Sequence, residues 1–120
     1  MKKTNILKKS YDFDRIIHST KPIKSYDYII YIEYNNDNNY HFGLSVGKKI
    51  GNAVTRNKVK RQIKNIIDKN NYKNGFNCII IVRKGILDKS FNQINDELNI
   101  SLNKLNIIKE DIQWKRKRSS

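Results

Sequence analysis

Gly43-Leu44-Ser45-Val46-Gly47-Lys48-Lys49-Ile50-Gly51-Asn52-Ala53-Val54-Thr55-Arg56-Asn57-Lys58-Val59-Lys60-Arg61-Gln62-Ile63-Lys64 is the stretch from which the rest of the chain is read. It begins with period two. Phe42, Leu44 and Val46 alternate with His41, Gly43, Ser45 and Gly47, which predicts a strand with one bulky apolar face and one nearly bare face. After Gly51 the period changes to that of a helix, with Asn52 as its N-cap. At about 100° per residue, Val59, Ile63, Ile66 and Ile67 share one arc and form a buried stripe. Arg56, Asn57, Lys60, Arg61 and Lys64 fill the adjoining arc. Arg56 stands in the first turn, where the helix dipole opposes a cation, so the pattern points to an anionic ligand.

The composition agrees. The chain has 120 residues and a net charge of +14, with 25 Lys and Arg against 11 Asp and Glu. Its length predicts one domain, 1–120, with a basic N-terminal arm over 1–9 that frays and a basic disordered tail over 115–120. Such a charge predicts a polyanionic partner, nucleic acid before an acidic membrane surface. Cys78, the single cysteine, lies in an apolar run and reads as a buried hydrophobe, so it supplies neither a disulfide nor a zinc site. No apolar run is long enough to span a bilayer, and a cytoplasmic protein is expected.

The remaining elements follow in order. A short helix is predicted over 11–18, with Ser10 as N-cap and Phe13, Ile16 and Ile17 as its apolar edge. A strand over 25–34 places Tyr26, Tyr28, Ile30, Ile32 and Tyr34 on one face and Asp27, Ile29, Tyr31 and Glu33 on the other. A turn over 35–39 leads to the strand from Tyr40, which is expected to pair back as a hairpin. The near-continuous apolar run over 76–82 predicts a central strand covered on both faces. Ser90 and Gln93 form a capping box for a helix carrying Phe91, Ile94, Leu98, Leu102 and Leu105, and a last turn is expected over 110–114. The fold class is therefore α+β, a small sandwich with a mixed sheet of about four strands. Its order is helix, hairpin, helix, strand, helix, with a βαβ crossover.

Catalytic constellations are weak. His18 and His41 read as surface or loop histidines rather than an acid–base pair, and no carboxylate cluster has metal-ligand spacing. Gly43-x-x-x-Gly47-Lys48-Lys49 is one residue short of a phosphate-binding loop and lacks the following Ser or Thr. The catalytic and metal sites expected of the protein are thus none. Tyr31 and Phe13 are open to two readings on composition alone, core packing or stacking with single-stranded RNA bases.

The 43–61 stretch matches every fixed position of G-L-x-V-x-K-K-x-G-x-A-V-x-R-N-x-x-K-R. On these residues the chain resembles the bacterial ribonuclease P protein subunit family. It departs from the family at Lys58, Lys64 and Asn65; Lys keeps the charge of Arg but not its planar fork. The resemblance implies a left-handed crossover. It also implies a subunit of a ribonucleoprotein endonuclease, in which a catalytic RNA with bound Mg²⁺ removes the 5′ leader of precursor tRNA. The protein would bind no cofactor itself. Arg56, Asn57, Lys58, Lys60, Arg61 and Lys64 would then bind the catalytic RNA. A cleft between the first helix, the sheet and the basic helix would bind the leader through Phe13, Ile17, Ile29, Tyr31, Ser45 and Lys49. Relatives often carry an aromatic where this chain has Ile17. The partners expected are the catalytic RNA and precursor tRNA, with no membrane and no DNA. A ribosomal or general RNA-chaperone protein is the alternative, and a protein-only nuclease a third reading.

Overall fold

A computed structural model describes residues 1–109. The elements are α1 (Ser10–Ser19), β1 (Ile23–Lys24), β2 (Tyr28–Tyr34), β3 (Tyr40–Ser45), α2 (Ala53–Asp68), β4 (Phe76–Val82) and α3 (Phe91–Lys104), with short 3-10 turns at Lys3–Asn5, Lys48–Ile50 and Lys84–Asp88. The fold is α+β around one mixed sheet of four strands in the order β1-β2-β4-β3. The last turn over 110–114 and the tail over 115–120 expected from the sequence lie outside the described residues.

The expected hairpin between β2 and β3 does not form. β4 lies between them, antiparallel to β2 and parallel to β3. Two causes are visible. Phe76, Asn77, Cys78, Ile79, Ile80 and Val82 are buried, so β4 takes the central place where both faces are covered. The 35–39 turn is also long enough to arch over the start of β4. Its two ends hold Gly75 there: Asn35 N–H donates to the Gly75 carbonyl and Gly75 N–H to the Asn39 carbonyl, each at 2.9 Å. Gly75 has φ 91°, and a Cβ on it would lie 2.7 Å from the Asn35 carbonyl oxygen, so the arch requires glycine. The β3–α2–β4 segment is the expected βαβ unit, joining two adjacent parallel strands through α2.

Helices cover both faces of the sheet. The larger core joins Tyr28, Ile30, Phe42, Cys78, Ile80 and Val82 to the predicted α2 stripe and to Ile94, Leu98 and Leu102 of α3. Ile16 of α1 and Ile79 of β4 are fully buried outside this cluster. They mark a smaller layer on the opposite face. The Asn52 cap forms, with Oδ1 accepting from Thr55 N–H at 2.9 Å, and so does the Ser90–Gln93 capping box.

Three local expectations are corrected. Ser10 is the first residue of α1 rather than its cap, and Lys9, at the N-cap, makes no side-chain cap bond. The 1–9 arm is docked rather than frayed: Asn5 is buried and donates to Asn39 Oδ1 and the Tyr40 carbonyl, and Leu7 N–H donates to the Phe42 carbonyl. Residues 25–27 are not strand but a bend, and β1 uses the edge of β2 instead, pairing Ile23 with Ile30 and Lys24 with Ile29.

Candidate nucleic-acid interface

The α1 face of the sheet is best followed by its cross-strand rows. Tyr31, Ile79 and Gly43 are aligned across β2, β4 and β3, and so are Ile29, Ile81 and Ser45. The ring of Phe13 lies over Gly43, where a Cβ would come within 2.6 Å of its Cζ. The bare face predicted for β3 is therefore filled at Gly43 and open only further along. A Cβ placed on Gly47 would meet nothing within 4 Å, and Ser45 is half-buried. Phe13, Ile17, Ile29 and Tyr31 are also half-buried, so apolar surface on this side remains partly accessible to solvent.

A third row closes the other end. His41 Nδ1 is 2.8 Å from Asn77 Oδ1, and Asn77 Nδ2 donates to Glu33 Oε1 at 2.9 Å. Arg15 of α1 pairs with the other oxygen of Glu33. That hydrogen bond, more than any other contact, holds the Glu33 carboxyl below its ordinary range, and burial opposes it. The row ties α1 to all three long strands. The sequence reading missed it, because its members are far apart in the chain and polar. It also gives His41 a structural hydrogen bond, while His18 Nδ1 is 2.6 Å from the Asp14 carbonyl oxygen. Among the described residues no group of three His, Cys, Asp or Glu side chains could hold a metal ion.

Lys49 stands apart from the other cleft residues. It is exposed in the Lys48–Ile50 turn beyond the end of β3. Asp27 is a further correction. It is buried at 1% exposure, bonded by Ser25 Oγ at 3.1 Å and 3.8 Å from Lys89 Nζ of the α3 side, so it does not share the face of Tyr31.

The basic helix offers a different surface. Its stripe packs into the larger core, on the other side of the sheet from Ile79 and Gly43, so α2 does not border the α1 face where the leader cleft is expected. Asn57, Lys58, Arg61 and Lys64 are exposed, whereas Arg56 and Lys60, next to the apolar stripe, are half-buried. Among the described residues, none of the five cations is in an ion pair. The α2 acid Asp68 is taken by the Met1 amine at 2.7 Å. Arg56 Nε is enclosed without a partner, which leaves a donor unsatisfied in the protein alone. Unpaired cations aligned on one helix face make an anion-binding surface.

The chain has counterparts over most of its length. The family described as Ribonuclease P matches residues 1–106. The Ribonuclease P protein component of Mycoplasma capricolum is 44% identical over 94 residues, covering 76% of this chain and 86% of that protein. That of Streptococcus pyogenes is 31% identical over 118 residues, covering 98% and 99%. Among solved structures, the RNase P protein of Staphylococcus aureus has TM-score 0.76 at 30% identity, covering 88% of this chain and 98% of that one. The RNase P protein from Thermotoga maritima has TM-score 0.73 at 25% identity, with 82% and 94% covered. By its signature stretch, its fold and these similarities, the chain belongs to the Ribonuclease P family.

Proposed function

We propose that this chain is the protein component of a ribonuclease P ribonucleoprotein and helps it process precursor tRNA in the cytoplasm. The observation that carries the reading is the separation of two surfaces by one sheet: an unpaired cationic helix on one side, and the half-buried apolar residues Phe13, Ile17, Ile29 and Tyr31 beside Ser45 on the other. One molecule can then hold two RNA segments at once. Arg56, Asn57, Lys58, Lys60, Arg61 and Lys64 dock on phosphates of the catalytic RNA, and an RNA partner completes the unsatisfied Arg56 Nε. Phe13, Ile17, Ile29, Tyr31, Ser45 and Lys49 receive the single-stranded 5′ leader, with bases against Tyr31 and phosphates toward Lys49.

The protein's contribution is binding and placement. Hydrolysis at the 5′ end of the mature sequence belongs to the RNA with its Mg²⁺. A leader held in the cleft favours precursor over mature product, which has no leader to bind. The test is cleavage of precursor tRNA by RNA alone, by nuclease-free protein alone, and by both at low Mg²⁺. Cleavage is expected only, or far faster, with both. Cleavage by the protein without RNA contradicts the reading.

A further inference from the structure

On the α3 side of the sheet, two carboxylates share one ammonium. Lys89 Nζ lies 2.6 Å from each oxygen of Glu97 and 3.8 Å from Asp27 Oδ2. Glu97 of α3 is half-buried, whereas Asp27 in the 25–27 bend is 1% exposed. The short bonds thus belong to the more exposed acid. Asp27 Oδ1 accepts from Ser25 Oγ, but Oδ2 is enclosed with no hydrogen bond. An ionised carboxylate in that state is strongly destabilising. A small pocket of about 310 Å³ opens at this place, lined in part by Ser25, Asp27, Lys89 and Glu97, so solvent can exchange protons with the pair.

The surrounding groups leave the deficit in place. Among the described residues, Lys89 is the only cation paired with either acid. Arg83, at the end of β4, gives its N–H to the Asp27 carbonyl at 2.9 Å and its Nη1 to the Ser25 carbonyl at 3.0 Å. It is engaged on backbone oxygens. The Tyr28 hydroxyl is paired with Ser101 Oγ of α3 at 2.8 Å, and that of Tyr26 donates to Asp88. The Tyr26 ring faces Lys89 Nζ at 5.8 Å. One ammonium cannot neutralise two neighbouring carboxylates, and a proton on one of them relieves the excess charge. Burial first, and the adjacent Glu97 carboxylate next, push the Asp27 carboxyl above its ordinary range. The Lys89 hydrogen bond holds Glu97 below its own.

We infer that Asp27 and Glu97 form a proton-sharing latch between the 25–27 bend and α3, in which Asp27 holds the proton and Lys89 holds Glu97. Protonated, Asp27 Oδ2 becomes a donor, with Glu97 as the acceptor beside it. A carboxyl raised in the folded state binds its proton there first. Folding is therefore favoured as pH falls through the raised value, and the gain is complete below the unfolded value of about 3.9. The Arg15–Glu33 contact on the α1 face responds in the opposite sense. One sheet carries α3, whose attachment tightens in mild acid, and α1, whose attachment loosens in stronger acid.

Two measurements on the full chain test the latch. The first follows the side-chain carboxyl carbons of Asp27 and Glu97 by NMR through a pH titration. Asp27 is expected to titrate above the ordinary range and Glu97 below it, and Glu97→Gln, which removes the like charge, should move the Asp27 step to lower pH. The second is urea unfolding of wild type and Asp27→Asn from about pH 8 to about pH 4. The Asn amide keeps the shape, accepts from Ser25 and donates to Glu97 without a bound proton. Asp27→Asn is expected to be the more stable at pH 8. The ratio of the two unfolding constants should then shrink by up to about tenfold per pH unit within the window. The inference is overturned if Asp27 titrates at or below the ordinary range, or if Glu97→Gln leaves its step unmoved. It is equally overturned if Asp27→Asn is no more stable than wild type at pH 8, the result for a plain Asp27–Lys89 ion pair. A variant too unstable to fold counts as that same result.

Discussion

The ring of Phe13 occupies the place that a side chain at Gly43 would need, with Cζ 2.6 Å from the ideal Cβ position. A helix residue and a glycine of the signature strand therefore fit as one contact. It sets how closely α1 approaches the sheet, and so the width of the cleft in which Tyr31 lies.

Gly43→Ala should push that ring aside. Overpacking of this kind costs about 1–3 kcal/mol, and the half-buried ring has room to move, so the low end is expected. Phe13→Leu in the same chain should recover part of the loss. Urea unfolding of the two single variants and the double variant measures the coupling. Strict additivity would show that the contact does not set the spacing.

The cations of α2 should matter for RNA and little for folding. Lys58, Arg61 and Lys64 are exposed and unpaired among the described residues. Replacing all three with Ala should alter stability by within ~0.5 kcal/mol each. Affinity for the catalytic RNA should fall, and its salt slope should become shallower by up to about 0.9 per lost phosphate contact, taking duplex DNA as the guide. An unchanged slope would mean that this helix face meets only solvent.

The Arg15–Glu33–Asn77–His41 row predicts an acid-sensitive attachment of α1. The Glu33 carboxyl is held below its ordinary range, chiefly by the Arg15 hydrogen bond. A depressed carboxyl stabilises the fold above its unfolded value of about 4.3 and loses that contribution as pH falls through the lower folded value. Glu33→Gln should therefore be less stable than wild type at neutral pH, and the difference should shrink toward pH ~3. Chemical denaturation across that range checks it. A constant difference would remove the linkage.

Cys78 reports on the sheet as a whole. It is fully buried at the centre of β4, and burial pushes its thiol far above the ordinary range. A thiol reagent should leave the native protein unlabelled and react only as the protein unfolds, with the denaturant dependence of global unfolding. Rapid labelling in native buffer would contradict this packing.

Much of the fold was legible because several signals are local. Asn52 caps α2, Ser90 and Gln93 close the box on α3, and β4 begins and ends with the apolar run over 76–82. Strand order was not legible, since the Asn-rich turn of 35–39 suits a tight hairpin and an arch over β4 equally well. Only the long-range bonds to Gly75 decide between them. The bend at 25–27 reverses the expected alternation, which sends Asp27 toward α3 and Tyr26 toward Lys49 and Arg83. That is why the pairing of Asp27 with Glu97 was invisible in a period-two reading. The basic arc of α2 was clear from spacing alone. Its position across the sheet from the cleft depends on packing between distant segments.

Whether the α1 cleft holds the leader is decided by Tyr31→Ala. Equilibrium titration of precursor and mature tRNA against assembled complexes, wild type and variant, gives the comparison. Circular dichroism of the free protein first establishes that the variant is folded. Stacking of one base on an aromatic predicts a loss of roughly tenfold for precursor tRNA. Mature tRNA should bind nearly as before, and docking on the catalytic RNA through α2 should persist. An equal loss for both tRNAs, or a loss for neither, would contradict a leader site at Tyr31.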